Sequence, residues 1–312
     1  MKLSLIIPCY NEEGNILPLF RAVNDAFEGR VSDYEFVFVN DGSQDRTGAV
    51  LRQLTEETSV PVTVVSFSRN FGKEAAILAG LRAASGGLLS LIDGDLQQNP
   101  ALVADMADYL DAHPECDCVT AVQESRNEKP TMVFFKKSFY AIINAMTDIH
   151  FEPNASDFRT FRRSVADVIC GLPEHQRFSK GIFAWIGFNT HYIPYSAEER
   201  LSGTSKWSFW KLFRYATDGI LAYTVKPLRI AGVLGASSMA ASLGACALAL
   251  HKDDKHTREN GLLAALILLM GGLQLTATGI LGEYAGRFYL EGKNRPNYIV
   301  KETFTNQNDE SS

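Results

Sequence analysis

Four apolar runs, each ending in a cluster of polar residues, constrain this chain more than any other feature. Residues 2–7, 34–39, 61–67 and 88–92 are short and rich in Val, Ile, Leu and Phe, and a fifth run covers 117–122. Amphipathic stretches at about 14–28, 44–57, 73–85 and 100–112 lie between them. This alternation describes βαβ units, and so an α/β fold with a mainly parallel sheet and helices on both faces. Ligands of such sheets bind at the carboxyl ends of the strands, since the crossover helices cover the faces. Four of those ends are polar. Pro8, Tyr10, Asn11 and Glu12 follow the first run, and Asp41-Gly42-Ser43 the second. Arg69, Asn70 and Lys73 follow the third, and Asp93-Gly94-Asp95 with Gln97 the fourth. One such cluster could equally be a turn or a helix cap. Four along one edge describe a polar crevice.

Asp93-Gly94-Asp95 presents two carboxylates one residue apart at a strand terminus, where they repel unless a cation lies beside them. Mg²⁺ or Mn²⁺ shared with a diphosphate answers that need, because hard cations take oxygen ligands and leave positions open for substrate phosphates. No G-x-G-x-x-G follows the first run and no G-x-x-x-x-G-K-[ST] occurs, which excludes the dinucleotide and P-loop readings. A net charge of −6 without an arginine-rich tract argues against nucleic acid as a partner. Five cysteines without framework spacing fit a reducing compartment, and Cys116 and Cys118 lack a second Cys/His pair for a zinc site. The segment Met1–Pro8 is too short in its apolar run to be a signal peptide and reads as a first strand.

The second half changes character. Residues 230–250 and 261–282 carry no charge, and as helices rising ~1.5 Å per residue each spans about 30 Å, the thickness of a hydrocarbon core. With the short polar linker 251–260 they read as a transmembrane hairpin. Lys226 and Arg229 precede it, and Arg287, Lys293, Arg295 and Lys301 follow it. The positive-inside rule then puts both termini in the cytoplasm. Segments 131–149 and 207–223 mix aromatic, aliphatic and basic residues, as helices at a membrane surface do. The expected organisation is a cytoplasmic catalytic domain over 1–225, a transmembrane hairpin over 226–286 and a cytoplasmic C-terminal tail over 287–312.

Further detail comes from a resemblance. Ile6-Ile7-Pro8-Cys9-Tyr10-Asn11-Glu12-Glu13, Asn40-Asp41-Gly42-Ser43 with Asp45 and Thr47, Asn70-Phe71-Gly72-Lys73, and Asp93-Gly94-Asp95-Leu96-Gln97 resemble family 2 glycosyltransferases of the GT-A fold. Ser156-Asp157-Phe158-Arg159, and Arg200 with Gly203, Ser205, Lys206 and Trp207, resemble the polyprenyl-phosphate glycosyltransferases. That group includes dolichol-phosphate mannose synthases and bacterial undecaprenyl-phosphate glucosyltransferases. The similarity covers residues 1–300, with D-G-D where the family usually has D-A-D, and the Q-x-x-R-W signature of processive synthases is absent.

The resemblance implies a metal-dependent, inverting hexosyltransferase of the bacterial inner membrane, passing a sugar, with glucose from UDP-glucose as the first choice, to undecaprenyl phosphate. Pro8, Tyr10, Asn11, Glu12 and Asp41 would hold the nucleoside, and Asn70 and Lys73 donor phosphate or ribose. Asp95 would be the main metal ligand, completed or oriented by Asp93 and Gln97. Asp157 would position acceptor or sugar, with base catalysis as the second role. Arg126, Arg159, Arg200, Ser205 and Lys206 would neutralise phosphates, because an anion attacking a sugar attached to another anion needs positive charge on both sides. Partners implied are the nucleotide sugar, the polyprenyl phosphate, the bilayer, a flippase with a downstream transferase, and a second copy through the Gly/Ala-rich hairpin. The competing readings are an idle scaffold partnering a flippase, and a transferase for another sugar or another lipid acceptor.

Overall fold

The computed structural model describes residues 1–124, 140–141, 143–147, 149, 151–175, 177–196, 223–249 and 256–307. The chain divides into two compact units. The first comprises Met1–Asn144, Ile149–Phe209 and Arg295–Ser312, and the second Ala145–Asp148 and Trp210–Asn294.

The first unit is built on an eight-stranded sheet. Its first part runs β1 (Leu3–Cys9), α1 (Ile16–Phe27), β2 (Tyr34–Asn40), α2 (Thr47–Glu57), β3 (Val62–Phe67), α3 (Lys73–Ala83), β4 (Leu88–Leu91), α4 (Ala101–Ala112) and β5 (Cys118–Gln123). Then come β6 (Ala155–Arg162), α5 (Arg163–Gly171), α6 (Ser179–Trp185), β7 (Thr190–Tyr195) and, far along the chain, β8 (Val300–Thr305). The spatial order is β7-β5-β6-β4-β1-β2-β3-β8. Strands β4, β1, β2 and β3 pair in parallel, as do β5 and β7. Strand β6 runs antiparallel to both β4 and β5, and β8 antiparallel to β3. The sheet is therefore mixed and mostly parallel.

Continuous apolar runs make the central strands because both faces are covered. On β1, Leu5 and Ile7 join the core beneath α1 and α4, while Ile6 points to the opposite core with Ile77 and Leu81 of α3. A side chain at Gly80 would place its Cβ 2.3 Å from Ile6 Cγ2, so α3 lies against β1 at a distance only glycine allows.

The five expected strands and four expected helices are present. Three strands were not expected. Residues 300–305 form β8 inside the expected C-terminal tail, held by Arg52 Nη2 to Glu302 at 2.6 Å and by the Arg52 guanidinium over Phe304. Strands β6, β7 and β8 carry charged or polar residues among their apolar ones, and β7 and β8 are sheet edges with partly exposed side chains, so none reads as a buried run.

The second unit contains α7 (Lys226–Ala249) and α8 (His256–Gly292), which pack on each other; Ser238 Oγ donates to Met270 Sδ at 2.8 Å. These helices cover most of 230–250 and all of 261–282, and α8 extends well past both ends of the expected span. Among the described residues no helix is long and apolar enough to cross a membrane. Ser237, Ser238, Gln274, Thr276 and Thr278 dilute the apolar content of the two runs, although Val233, Ile267, Leu275 and Phe288 are largely exposed. The expected surface segments 131–149 and 207–223 lie mostly outside the described residues, as do Arg126, Arg200, Ser205 and Lys206.

Candidate active site

The loops leaving β1 and β2 are tied to one another. Asn11 N–H donates to Ser43 Oγ at 3.0 Å, Gln44 N–H to Asn11 Oδ1 at 2.8 Å, and Glu12 N–H to Thr47 Oγ1 at 2.9 Å. Asp45 fixes the start of α2 by accepting from both N–H and hydroxyl of Thr47. Asn11 adopts a φ of 57°, a left-handed conformation that Asn tolerates. It braces the second loop, and its side chain is not part of the crevice wall.

The loop after β3 is fixed by Asp41. Its Oδ1 accepts from Phe71 N–H at 2.6 Å and its Oδ2 from Gly72 N–H at 2.9 Å. Burial raises the Asp41 carboxyl pKa, and the two backbone donors oppose the rise without cancelling it. Gly42 beside it has a φ of 64°, and a Cβ there would lie 2.3 Å from the Arg69 carbonyl carbon. The loops after β2 and β3 thus touch backbone to backbone, which delivers Lys73, the first residue of α3, to the centre of the crevice.

Antiparallel pairing does the rest. Leu91 of β4 stands opposite Arg159 of β6, so the same register carried two residues further sets Asp93 opposite Asp157. Lys73 Nζ lies between them, 2.7 Å from Asp93 Oδ1 and 2.9 Å from Asp157 Oδ2. Burial alone would raise the Asp157 pKa; Lys73, Lys180 and Arg159 overcome this and hold it at about 2. Lys73, desolvated yet flanked by two carboxylates, keeps its proton well above the ordinary lysine value. Gln98 aims Asp93: Oε1 accepts from Asp93 N–H at 2.9 Å, and Nε2 donates to Asp93 Oδ2 at 3.1 Å.

Together these residues line an open crevice of about 330 Å³, walled by Pro8, Tyr10, Glu12, Asp41, Asn70, Lys73, Asp93 and Asp95. A profile of glycosyl transferase family 2 matches residues 4–170, more than half of the chain. The chain belongs to glycosyl transferase family 2. An uncharacterized glycosyltransferase of Synechocystis is 38% identical over 308 residues, covering 97% of this chain and 95% of that protein. A prophage-derived bactoprenol glucosyl transferase of Shigella flexneri is 37% identical over 311 residues, covering 97% and 98%. A prophage bactoprenol glucosyl transferase homolog of Escherichia coli is 37% identical over 309 residues, covering 96% and 99%. Mannosyl-3-phosphoglycerate synthase from Rubrobacter xylanophilus matches at a TM-score of 0.50 and 17% identity, covering 74% of this chain and 75% of that one, which supports the GT-A-like fold.

In this family 2 transferase the crevice gathers eight of the expected site residues. Gln97 is absent from its wall, and its backbone N–H donates to Asp95 Oδ1 at 3.3 Å. Gln97 was expected to complete or orient the metal site at Asp95, and its backbone contacts that residue; Asp93 is oriented by Gln98. That residue is 5% exposed and sits one position beyond the motif, where periodicity alone reads a helix approach. Lys73, expected at donor phosphate or ribose, pairs with two carboxylates, and Asp41, expected at the nucleoside, already accepts from two backbone donors. Arg159 lies apart, in a second pocket. Lys180 and Glu74 had no sequence signal, since each stands in an ordinary helix start. Glu74 nonetheless ties α3 to α6 through the Ser179 N–H at 2.9 Å and the Ser179 hydroxyl.

Among the described residues no group of three or more His, Cys, Asp or Glu is assembled around a metal position. Asp93 and Asp95 line the crevice one residue apart, with the carboxylates of Glu12 and Asp41 also in its wall. This suits a hard cation that takes one or two carboxylates and fills its shell from phosphate oxygens and water.

Proposed function

We propose that this chain transfers glucose from UDP-glucose to a polyprenyl monophosphate such as undecaprenyl phosphate, with inversion, at the cytoplasmic face of a bacterial inner membrane. What carries this reading is the similarity over nearly the whole chain to proteins named bactoprenol glucosyl transferases. Bactoprenol is a polyprenol, so its phosphate is the acceptor chemistry in question.

The site chemistry agrees with it. A lipid phosphate is already an anion near neutral pH and needs no strong base. With a carboxyl pKa of about 2, Asp157 is too weak a base to assist at pH 7 and acts instead by holding and aligning its neighbours. Asp95 with Asp93 would hold Mg²⁺ or Mn²⁺, which would neutralise the departing diphosphate. Tyr10, Glu12 and Asn70 would bind the nucleoside portion, and Lys73 supplies a positive charge between the two carboxylates. A single displacement turns an α-linked donor into a β-linked sugar phospholipid.

The proposal includes the membrane. The uncharged runs 230–250 and 261–282 would cross it as a hairpin, with the catalytic domain over 1–225 and the segment 287–312 on the side where the flanking Lys and Arg lie. The test is a panel of radiolabelled nucleotide sugars offered to the purified full chain with undecaprenyl phosphate and Mg²⁺ or Mn²⁺. Label should enter the organic phase with UDP-glucose; label from another donor alone, or none from any, overturns the assignment.

A further inference from the structure

Strand β6 alternates its side chains between two cores. Phe158 joins the core with α4, whereas Phe161 joins the one beneath α6. Asp157 and Arg159 therefore share the α6 face with Phe161. There the Arg159 guanidinium lies 4.0 Å from the Phe183 ring centroid. Lys180, three residues before Phe183 on α6, lines the same pocket, together with Thr120, Tyr140, Glu152 and Tyr192. The pocket lies over β5, β6 and β7, while the crevice lies over β4, β1 and β2. Asp157 bonds to Lys73 of the crevice wall and interacts electrostatically with Arg159 and Lys180 of the pocket.

Two features of this pocket ask for an anion. Arg159 is 4% exposed; its Nη2 donates to the Ser156 carbonyl at 2.7 Å, but its buried Nε has no hydrogen-bond partner. Buried charged donors are rarely left so, because water is lost without replacement. Lys180 has no carboxylate within ion-pair distance among the described residues, although burial disfavours its charge. Glu152 lines the pocket as its acidic member and has contacts of its own. The volume, about 40 Å³, exceeds the ~10–15 Å³ one water requires but is far below the crevice's. It suits a tetrahedral oxyanion and not a sugar ring.

We propose that Arg159 and Lys180 form the binding pocket for the phosphate monoester of the acceptor, separated by Asp157 from the crevice of Asp93 and Asp95. This rests on the transferase reading above and assigns Lys180 a role in it. A guanidinium fork and an ammonium can share the oxygens of one phosphate. The Asp157 carboxylate between the two chambers repels a phosphate from the boundary. The attacking and departing anions then keep to separate walls, as in-line displacement requires.

The experiment uses the purified full chain and varies undecaprenyl phosphate at saturating donor. Lys180→Met should raise the KM for the lipid phosphate about tenfold with the donor KM within twofold, and Lys180→Arg should recover most of the loss. Inorganic phosphate should inhibit the native protein competitively against the lipid, and more weakly in Lys180→Met. A changed donor KM, or unaltered inhibition by phosphate, overturns the pocket.

A second arm needs no turnover. Undecaprenyl phosphate should protect Lys180 from amine acylation, read by mass spectrometry, at far lower concentration than inorganic phosphate. Equal protection by both marks a free-anion site, and protection by neither marks no anion site; each overturns the acceptor assignment. Failure of the native protein to label any polyprenyl phosphate would instead sink the transferase reading, which the acylation arm does not depend on.

Discussion

Across β1–β4 the crevice residues hang from loops tied to one another by hydrogen bonds from backbone N–H groups to side-chain oxygens, whereas across β5–β7 the charged groups stand on strand and helix themselves. Asn11, Asp41, Asp45 and Thr47 spend side-chain oxygens on neighbouring N–H groups. Asp157, Arg159 and Lys180 rely on β6 and α6 for position and on one another for charge balance. The first half resembles a fixed socket, since each loop is over-determined before a ligand arrives. The second half holds a buried Arg159 Nε without a hydrogen-bond partner, which costs stability unless an acceptor satisfies it. Lys73 joins the halves by bonding to one carboxylate from each.

The largest effect should come from the socket. Asp95→Asn removes a full negative charge from the proposed cation position, and transfer should fall at least a hundredfold, about 2.7 kcal/mol of barrier. Thermal unfolding should stay within a degree or two of the native protein. Near-normal turnover with Mg²⁺ would remove Asp95 from the site and break the contrast between the halves.

Substituting the joining residue tests whether they act together. Lys73→Met leaves Asp93 and Asp157 facing each other without their shared cation. Loss of such charge-assisted contacts commonly costs ~1.5–3 kcal/mol, so turnover should drop about ten- to a hundredfold. The Asp157 carboxyl should also titrate higher, because a cation that depresses it is gone and burial remains. Carboxyl titration followed by NMR, unchanged between native and variant, would show the two halves to be independent.

An effect on stability, and none on turnover, belongs to the end of the sheet away from the crevice. Glu35 is 2% exposed and is held by Lys2 at 2.7 Å, by Ser4 and Ser85, and by Gln307 from the chain's last segment. Burial pushes its pKa up, and these partners outweigh burial and bring it from 4.5 to about 2. A folded-state pKa below the unfolded one means stability that is present above about pH 4.5 and lost as pH falls toward 2. Glu35→Gln should cost roughly 2–3 kcal/mol at pH 7 and flatten that acid limb. Parallel acid unfolding curves for native and variant would show that Glu35 does not carry it.

Much of the socket was legible in the sequence because parallel strands with crossover helices place all their carboxyl ends on one edge. Position after a strand was therefore enough to gather Pro8, Tyr10, Glu12, Asp41, Asn70, Lys73, Asp93 and Asp95. What each does was less legible. Asn11 and Asp41 also hold neighbouring backbone, a task the sequence did not separate from ligand binding because a short polar side chain serves either purpose. Gln98 stands one position beyond the recognisable motif, so nothing in its neighbours marked it as the residue that bonds both the N–H and the carboxylate of Asp93.

The sequence by itself determined the βαβ half of the sheet, its helices and the carboxylate pair at the crevice, because local periodicity and strand-end chemistry are written in neighbouring residues. Tertiary structure alone decided that β6 runs antiparallel to β4, which sets Asp157 opposite Asp93 with Lys73 between them, and that β8 returns from the far end of the chain to pair with β3. It alone set Lys180 and Phe183 of α6 beside Arg159. Long-range strand pairing depends on which surfaces remain to be covered once the local units have formed, and no run of adjacent residues carries that information.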